Sequence, residues 1–409
     1  MTRGFWMVGL CFGCTPALEL GTYEPGAART QPLGTTASGL SVRVGEIGIL
    51  EGDDTLISPL GDQYGLVIDD QRNDLAAVTR RFADTLVDRE AVLLLFTTFD
   101  DRGAAGPAYY VPFYRDTEGL GVPPLDQRAD FGVVHLRGVA NLKSVAHHTP
   151  GRLLPRALHE LAHPALAYLS AAVASSTVPI PLLGRQNAHW HAALHTEGSV
   201  LGGHGYAERG PGEFQVIGRN SGYSRLDRYG LGLLAPEQVP PFFFIAGART
   251  ITGATLPAAA ELPLGTLVRG QKIEVKLEDV VRAVGPRSPA FPEAPPRLEV
   301  VVGLLTAPGE SASSTRAVAI HAELEVWLPQ LAERYTEETG GVGVLCLRLD
   351  GCDPVTPEPP PPPPPAEGCS CRGGGPAGPS GGLFGLGLVA AALRRRRSGR
   401  SFDRFRRRV

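Results

Sequence analysis

The segment GRLLPRALHELAHPALAYLSAAVA, residues 151–174, decides how the rest of this sequence is interpreted. Its leucines recur at helical spacing, which predicts one long amphipathic helix with an apolar face in the core. Pro155 suits the first turn of a helix, and Pro164 predicts a kink directly after His163. Because residues four positions apart project from the same face of a helix, His159 and His163 can bind one metal ion.

The run HELAH within this segment matches the H-E-x-x-H pattern, in which two histidines bind zinc and the glutamate reaches a metal-bound water. Zinc lowers the pKa of that water to about 7, so a nearby carboxylate can take its proton as a general base. We therefore predict Zn²⁺ as the cofactor, His159 and His163 as ligands, and Glu160 as the catalytic base. The extended pattern H-E-x-x-H-x-x-G-x-x-H is absent, because Leu166 and Leu169 replace its glycine and its third histidine.

The third zinc ligand must therefore come from elsewhere, since a catalytic zinc usually has three protein ligands and one open position. We expect it in residues 187–245, where polar side chains are most concentrated. The candidate ligands there are His189, His191, His195, Glu197, His204 and Asp227.

The run LDRYG, residues 226–230, resembles the DxxYG run of the aspzincin metallopeptidases with one residue missing. In that family the aspartate is the third ligand and the tyrosine can polarise the substrate carbonyl. The resemblance implies Asp227 as the third ligand and Tyr229 as the catalytic tyrosine. The alternatives that stay open are His189, His191 and Glu197 for the ligand, and Tyr223 for the tyrosine.

A wider resemblance covers about residues 90–245. The order of a HExxH helix, a His-Trp pair and the run GYSRLDRYGLGL is similar to a group of bacterial surface proteins. SVLGG, residues 199–203, is similar to the Met-turn below metzincin zinc sites, with Leu201 in place of methionine. Together these resemblances imply a zincin-like metallopeptidase, without naming its substrate.

The flanking sequence predicts an α+β fold, and the resemblance implies that it is zincin-like, with a mixed sheet beside the active-site helix. Strands are predicted over 41–50, 64–70, 91–99, 108–114, 131–142 and 298–306, and helices over 75–88, from Glu278-Asp279, and over 318–339. We expect a catalytic domain over residues 40–245 and a C-terminal subdomain over residues 246–350.

The N-terminus, MTRGFWMVGLCFGC, has one arginine before an apolar run and resembles a short signal peptide. We predict a signal peptide over residues 1–21, with lipoprotein processing as an alternative, and a linker over residues 22–39. An exported protein forms disulfides, so Cys346 and Cys352, six residues apart, are predicted to pair.

The C-terminus contains a proline-rich linker over residues 351–367, in which Pro359 to Pro365 form a polyproline II rod. In the tail, residues 368–409, a GCSCR motif precedes an apolar run of thirteen residues, 381–393, and four arginines. A bilayer span takes about 20 apolar residues, so this run suits a sorting signal better than a permanent span.

This order resembles the MYXO-CTERM sorting tail of myxobacterial surface proteins over about residues 368–397. The resemblance implies a sorting protease that cleaves near Cys369 or Cys371 and leaves the chain anchored to the membrane by a lipid. The expected location is the cell surface or outer membrane, with extracellular release as an alternative.

The composition is that of a protein with a normal globular core, at 43% hydrophobic and 20% charged residues. The net charge of −3 is small, and the sequence lacks the long basic face that would indicate nucleic acid as a partner. The sequence therefore predicts an exported cell-surface zinc metallopeptidase that hydrolyses a protein or peptide substrate. Two alternatives stay open: a catalytically inactive zincin-like surface protein with an adhesive or structural role, and a zinc amidase acting on cell-wall peptides.

Overall fold

The computed structural model describes residues 41–68, 74–103, 106, 108–148, 150–174, 180–220 and 222–352, which all belong to one structural unit, Met1–Val355. The predicted signal peptide, the linker before residue 40, the proline rod and the sorting tail lie outside the described residues. Among the described residues, no helix is long and apolar enough to cross a membrane.

The elements alternate along the chain, with many short strands and five α-helices in the described residues. The strands are β1 Ser41–Val44, β2 Ile47–Leu50, β3 Ser58–Leu60, β4 Gln63–Gly65, β5 Val92–Thr97, β6 Tyr109–Pro112, β7 Tyr114–Arg115, β8 Leu125–Asp126, β9 Gly138–Ser144, β10 Trp190–His195, β11 Gly202–Gly210, β12 Glu213–Gly218, β13 Phe242–Thr250, β14 Leu267–Val275, β15 Arg297–Leu305 and β16 Val344–Leu347. The helices are α1 Asp74–Thr85, α2 Pro150–Ala162, α3 Arg225–Leu231, α4 Leu277–Val284 and α5 Thr315–Glu338. The predicted α+β class is confirmed.

A mixed seven-stranded sheet forms the first half of the fold, in the order β1-β2-β15-β5-β9-β6, with β16 beside β15. Strands β2, β15, β5 and β9 are parallel, and β1 and β6 are antiparallel to their neighbours. Every residue of β5 is buried because both faces of the sheet are covered. Leu94 and Phe96 lie in the core cluster that contains Leu161 of α2, whereas Leu93 lies in the cluster that contains Phe82 of α1.

A closed barrel forms the second half, in the order β10-β11-β12-β14-β13. Its buried residues, among them Phe214, Val216 and Val268, join the core cluster that also contains Leu161 of α2. The predicted boundary between residues 245 and 246 does not separate two units, because it falls inside β13. The residues after it also supply β15, which lies between β2 and β5 in the sheet.

Helix α2 ends at Ala162 and does not continue to residue 174 as predicted. Pro164 explains the early end, because proline lacks the N–H of a helical hydrogen bond and disfavours helical geometry in the residue before it. His163 therefore lies in a turn directly after the helix, and its N–H donates to the Glu160 carbonyl at 3.3 Å.

The C-terminal part of the described chain returns to the sheet and to α2. Helix α5 begins at the N-cap Ser314 and packs against α2 and β16. The predicted disulfide is confirmed, because Cys346 of β16 and Cys352 are bonded, with Cα atoms 5.9 Å apart. This covalent bond closes the short loop that follows β16.

Candidate metal centre

Three buried histidines converge between α2 and the barrel, and we refer to His159, His163 and His189 as the three-histidine cluster. His159 comes from the last turn of α2, His163 from the turn after it, and His189 directly precedes β10. The Nε2 atom of His159 lies 3.0 Å from Nε2 of His189 and 3.2 Å from Nε2 of His163. Across the three rings, one ligand atom from each lies within 4.8 Å of the others.

Backbone carbonyls fix the tautomer of each ring in the cluster. The three contacts are His159 Nδ1 to the Val200 oxygen at 2.7 Å, His163 Nδ1 to the Leu166 oxygen at 2.9 Å, and His189 Nδ1 to the Arg185 oxygen at 3.0 Å. A carbonyl oxygen only accepts hydrogen bonds, so each Nδ1 carries the proton and each Nε2 keeps a lone pair. The three lone pairs are therefore brought together at one point.

This arrangement fits a tetrahedral metal ion. With metal–nitrogen bonds of about 2.0–2.1 Å, two nitrogen ligands of a tetrahedral ion lie about 3.3 Å apart. The closest Nε2 pairs, at 3.0 and 3.2 Å, are near that separation. A carbonyl that accepts from the other ring nitrogen is also the usual support of a metal-bound histidine. The cluster can hold a metal ion.

The environment of the cluster keeps the rings of His163 and His189 neutral. Burial, together with the neighbouring His159 ring, lowers the pKa of His163 to about 3. Burial also lowers the pKa of His189 well below its ordinary value, with further contributions from the other two rings and from Arg185. A neutral imidazole is the form that binds a metal, so the unprotonated state needed for binding is present at neutral pH.

The structure does not bring Asp227, the predicted third ligand, into the cluster. Asp227 is fully buried, and its Oδ1 accepts from Trp190 Nε1 at 2.7 Å while Oδ2 accepts from the Ser224 N–H at 2.7 Å. The Asp227 N–H donates in turn to Ser224 Oγ at 3.1 Å, so the pair forms a capping box at the start of α3. The correction is therefore that His189 completes the cluster, while Asp227 anchors Trp190, the residue after it.

The two candidate tyrosines are also placed elsewhere. The Tyr229 hydroxyl accepts from the Arg287 N–H at 3.2 Å, and the Tyr223 hydroxyl donates to the Leu158 carbonyl of α2 at 2.7 Å. A pocket that includes His159 and His189 in its lining opens beside the cluster, and neither tyrosine lines it. The structure therefore gives Tyr229 no contact with that pocket, and Tyr223 supports the backbone next to His159.

The remaining candidate ligands have structural contacts in and around the barrel. His204 donates from Nδ1 to the Ala192 carbonyl and accepts at Nε2 from the Leu262 N–H, each at 3.0 Å. The Nδ1 atoms of His191 and His195 accept from the backbone N–H groups of Ala193 at 3.0 Å and Tyr206 at 2.9 Å. Glu197 has a left-handed φ of 56° and lies 3.9 Å from Arg225. None of the four joins the cluster within the described residues.

Glu160, the predicted base, follows His159 in α2 and is buried, and it is not among the residues that line the pocket beside the cluster. The pocket next to the cluster includes His159, His189, Trp190 and Arg185 in its lining.

The turn over residues 199–203, whose sequence is similar to a Met-turn, contacts the cluster through the Val200 carbonyl. The sequence signal that could have favoured His189 over Asp227 is the Ser-x-x-Asp spacing at residues 224–227, which is itself a helix-capping pattern.

The cation Arg185 contacts the cluster directly. Its Nη2 donates to Nε2 of His189 at 2.9 Å, while its carbonyl accepts from Nδ1 of the same ring. A metal ion bound at the cluster requires the same Nε2 lone pair. Arg185 and a metal ion therefore compete for His189.

Comparison of the chain with family models, with curated proteins and with solved structures finds no match. The function must therefore be argued from the chemistry of the three-histidine cluster and its surroundings.

Proposed function

We propose that the chain is a zinc metallopeptidase, in which His159, His163 and His189 bind Zn²⁺ and Glu160 is the general base. The observation that carries the proposal is the convergence of three buried Nε2 atoms whose rings are each fixed by a carbonyl at Nδ1. Three nitrogen ligands and an open fourth position are one of the donor sets of catalytic zinc. The mixed sheet against α2 supports the zincin-like part of the proposal.

The chemistry is divided between the metal and the protein. When bound, zinc would polarise the substrate carbonyl and lower the pKa of a water molecule. Glu160 takes the proton of the attacking water and passes it to the leaving amine, as its position beside His159 in the HELAH run allows. Asp227 and Tyr223 hold Trp190 and the α2 backbone next to the ligands, so they position the site without touching the substrate.

Export to the cell surface is also part of the proposal. The Cys346–Cys352 disulfide supports it, because stable disulfides form in oxidising compartments outside the cytosol. The sorting protease, the anchor at Cys369 or Cys371 and the membrane location remain predictions from the sequence.

The proposal is tested on the full-length chain by measuring zinc content and casein cleavage together, for the wild type and for Glu160→Gln. We expect about one bound zinc per chain in both proteins, because Glu160 is not a ligand. Casein cleavage by Glu160→Gln should fall by at least about a thousandfold, because the amide cannot act as a base. Wild-type protein that holds zinc and cleaves neither casein nor peptidoglycan fragments would contradict the proposal, and cleavage of the fragments alone would favour the amidase.

One observation favours a second function, that of a catalytically inactive zincin-like surface protein with an adhesive or structural role. Arg185 donates to the His189 Nε2 lone pair that a metal requires, so a chain in which this contact is permanent would not bind zinc. The zinc measurement on the wild type separates the two functions, since the inactive protein should lack stoichiometric metal.

A further inference from the structure

The pocket beside the three-histidine cluster has an excess of positive charge. Arg156, Arg185 and Arg219 line it, whereas Glu261 is the acidic side chain of the lining and is exposed. The Nη1 of Arg156 donates to Nδ1 of His148 at 2.6 Å, and this hydrogen bond holds Arg156 in place. His148 can accept it because burial lowers the pKa of His148 to about 4, so that the ring is neutral. A cleft lined by one sign of charge concentrates ligands of the opposite sign.

Arg219 is the arginine of this pocket whose guanidinium is available to bind a ligand. It follows β12, is half-buried, and makes no ion pair or side-chain hydrogen bond with any of the described residues. The next residue, Asn220, has a left-handed φ of 47° and also lines the pocket. A guanidinium binds a carboxylate through two parallel hydrogen bonds, which is its strongest form of pairing.

Much of the remaining pocket wall is apolar. Val200 and the run Ala258, Ala259 and Ala260 contribute small apolar side chains to the wall. Their size leaves the arginines as the main polar anchors, while His159 and His189 mark where the reacting bond would lie. An anionic group held by Arg219 would therefore lie in the same pocket as His159 and His189.

We infer that the substrate of this site is a peptide that carries a carboxylate close to the scissile bond, and that Arg219 binds that carboxylate. The inference rests on the proposed peptidase function and adds its substrate class. The carboxylate can belong to an acidic side chain or to the C-terminus of the peptide.

The experiment measures binding, so that turnover does not enter. Fluorescence anisotropy is recorded on the zinc-loaded full-length Glu160→Gln chain with three labelled peptides of equal length. The first carries glutamates and blocked ends, the second carries glutamines at the same positions and blocked ends, and the third carries the glutamines and a free C-terminal carboxylate. Each peptide is also measured with the Glu160→Gln chain that carries Arg219→Gln as a second substitution. The matched control carries Arg209→Gln instead, because Arg209 lies outside the pocket and its Nε donates to Gln215 Oε1 at 2.7 Å.

We expect the glutamate peptide or the free-carboxylate peptide to bind about tenfold more tightly than the blocked glutamine peptide, as for a charge-assisted bidentate contact. Arg219→Gln should remove this preference, Arg219→Lys should keep part of it, and Arg209→Gln should leave it in place. Which carboxylate is preferred identifies its source. Equal binding of all three peptides, no binding of any, or a preference that survives Arg219→Gln would overturn the inference. Failure of the proposed function is separate, because it is measured as loss of cleavage by the wild type.

Discussion

The sheet and the barrel differ in how much of their structure is written in local sequence. Strand β5 is a continuous apolar run, and the HELAH run beside the sheet places its two histidines four residues apart. The barrel strand β10 is a short run rich in histidine and alanine, and β11 is rich in glycine. The barrel nevertheless delivers His189 and the turn with Val200 that complete the cluster. A site can therefore take one of its three ligands from a region with little sequence signal.

The first test removes His189, the ligand that the barrel side supplies to the cluster. His189→Ala should lower zinc affinity by at least about a hundredfold, as much as His159→Ala, because each removes one of three nitrogen ligands. Zinc affinity is measured by competition with a chromophoric chelator. The matched control is His191→Ala, two residues further along in β10 and outside the cluster, which should bind zinc like the wild type. A His189→Ala protein with unchanged affinity would show that the barrel side contributes no ligand.

The second test separates structural support from metal binding. Asp227→Ala should lower the free energy of unfolding by about 3 kcal/mol, because it removes a helix cap and leaves the buried Trp190 Nε1 without its acceptor. Zinc should still bind stoichiometrically. Denaturant unfolding of the metal-free protein gives the first quantity and metal analysis the second.

A suitable control for that variant is Asp279→Ala. Asp279 accepts from the Lys276 N–H at the start of α4, at 3.0 Å. Its replacement by alanine should lower the free energy of unfolding by only about 1 kcal/mol. Loss of zinc without loss of stability in Asp227→Ala would instead return this aspartate to the ligand set.

The smallest effect concerns the contact between Arg185 and the cluster. Arg185→Gln should raise zinc affinity by about fivefold, because the amide donates a weaker hydrogen bond to His189 Nε2 and carries no charge. The same chelator competition measures it, and Arg209→Gln is the control outside the pocket. Unchanged or weaker zinc binding would mean that this contact does not oppose the metal.

The fold could be predicted in its sheet half and not in its barrel half. The apolar runs that became β5 and β15, and the amphipathic patterns that became α1 and α5, were all identified, since burial on both faces or on one helical stripe leaves a periodic pattern. The five-stranded barrel was missed. Its strands pair over long range and include close-packed glycines, such as Gly203 with a φ of 68°, which carry no hydrophobic period.

For the candidate site, the sequence by itself determined His159 and His163, because their geometry follows from the spacing within one short segment, whereas the role of Glu160 as the base stays a prediction. The disulfide between Cys346 and Cys352 was equally local. Only the tertiary structure decided between His189 and Asp227. The choice depends on which side chain the barrel directs toward α2 and which one α3 uses to cap its own first turn, and both are set by contacts between residues far apart in the chain.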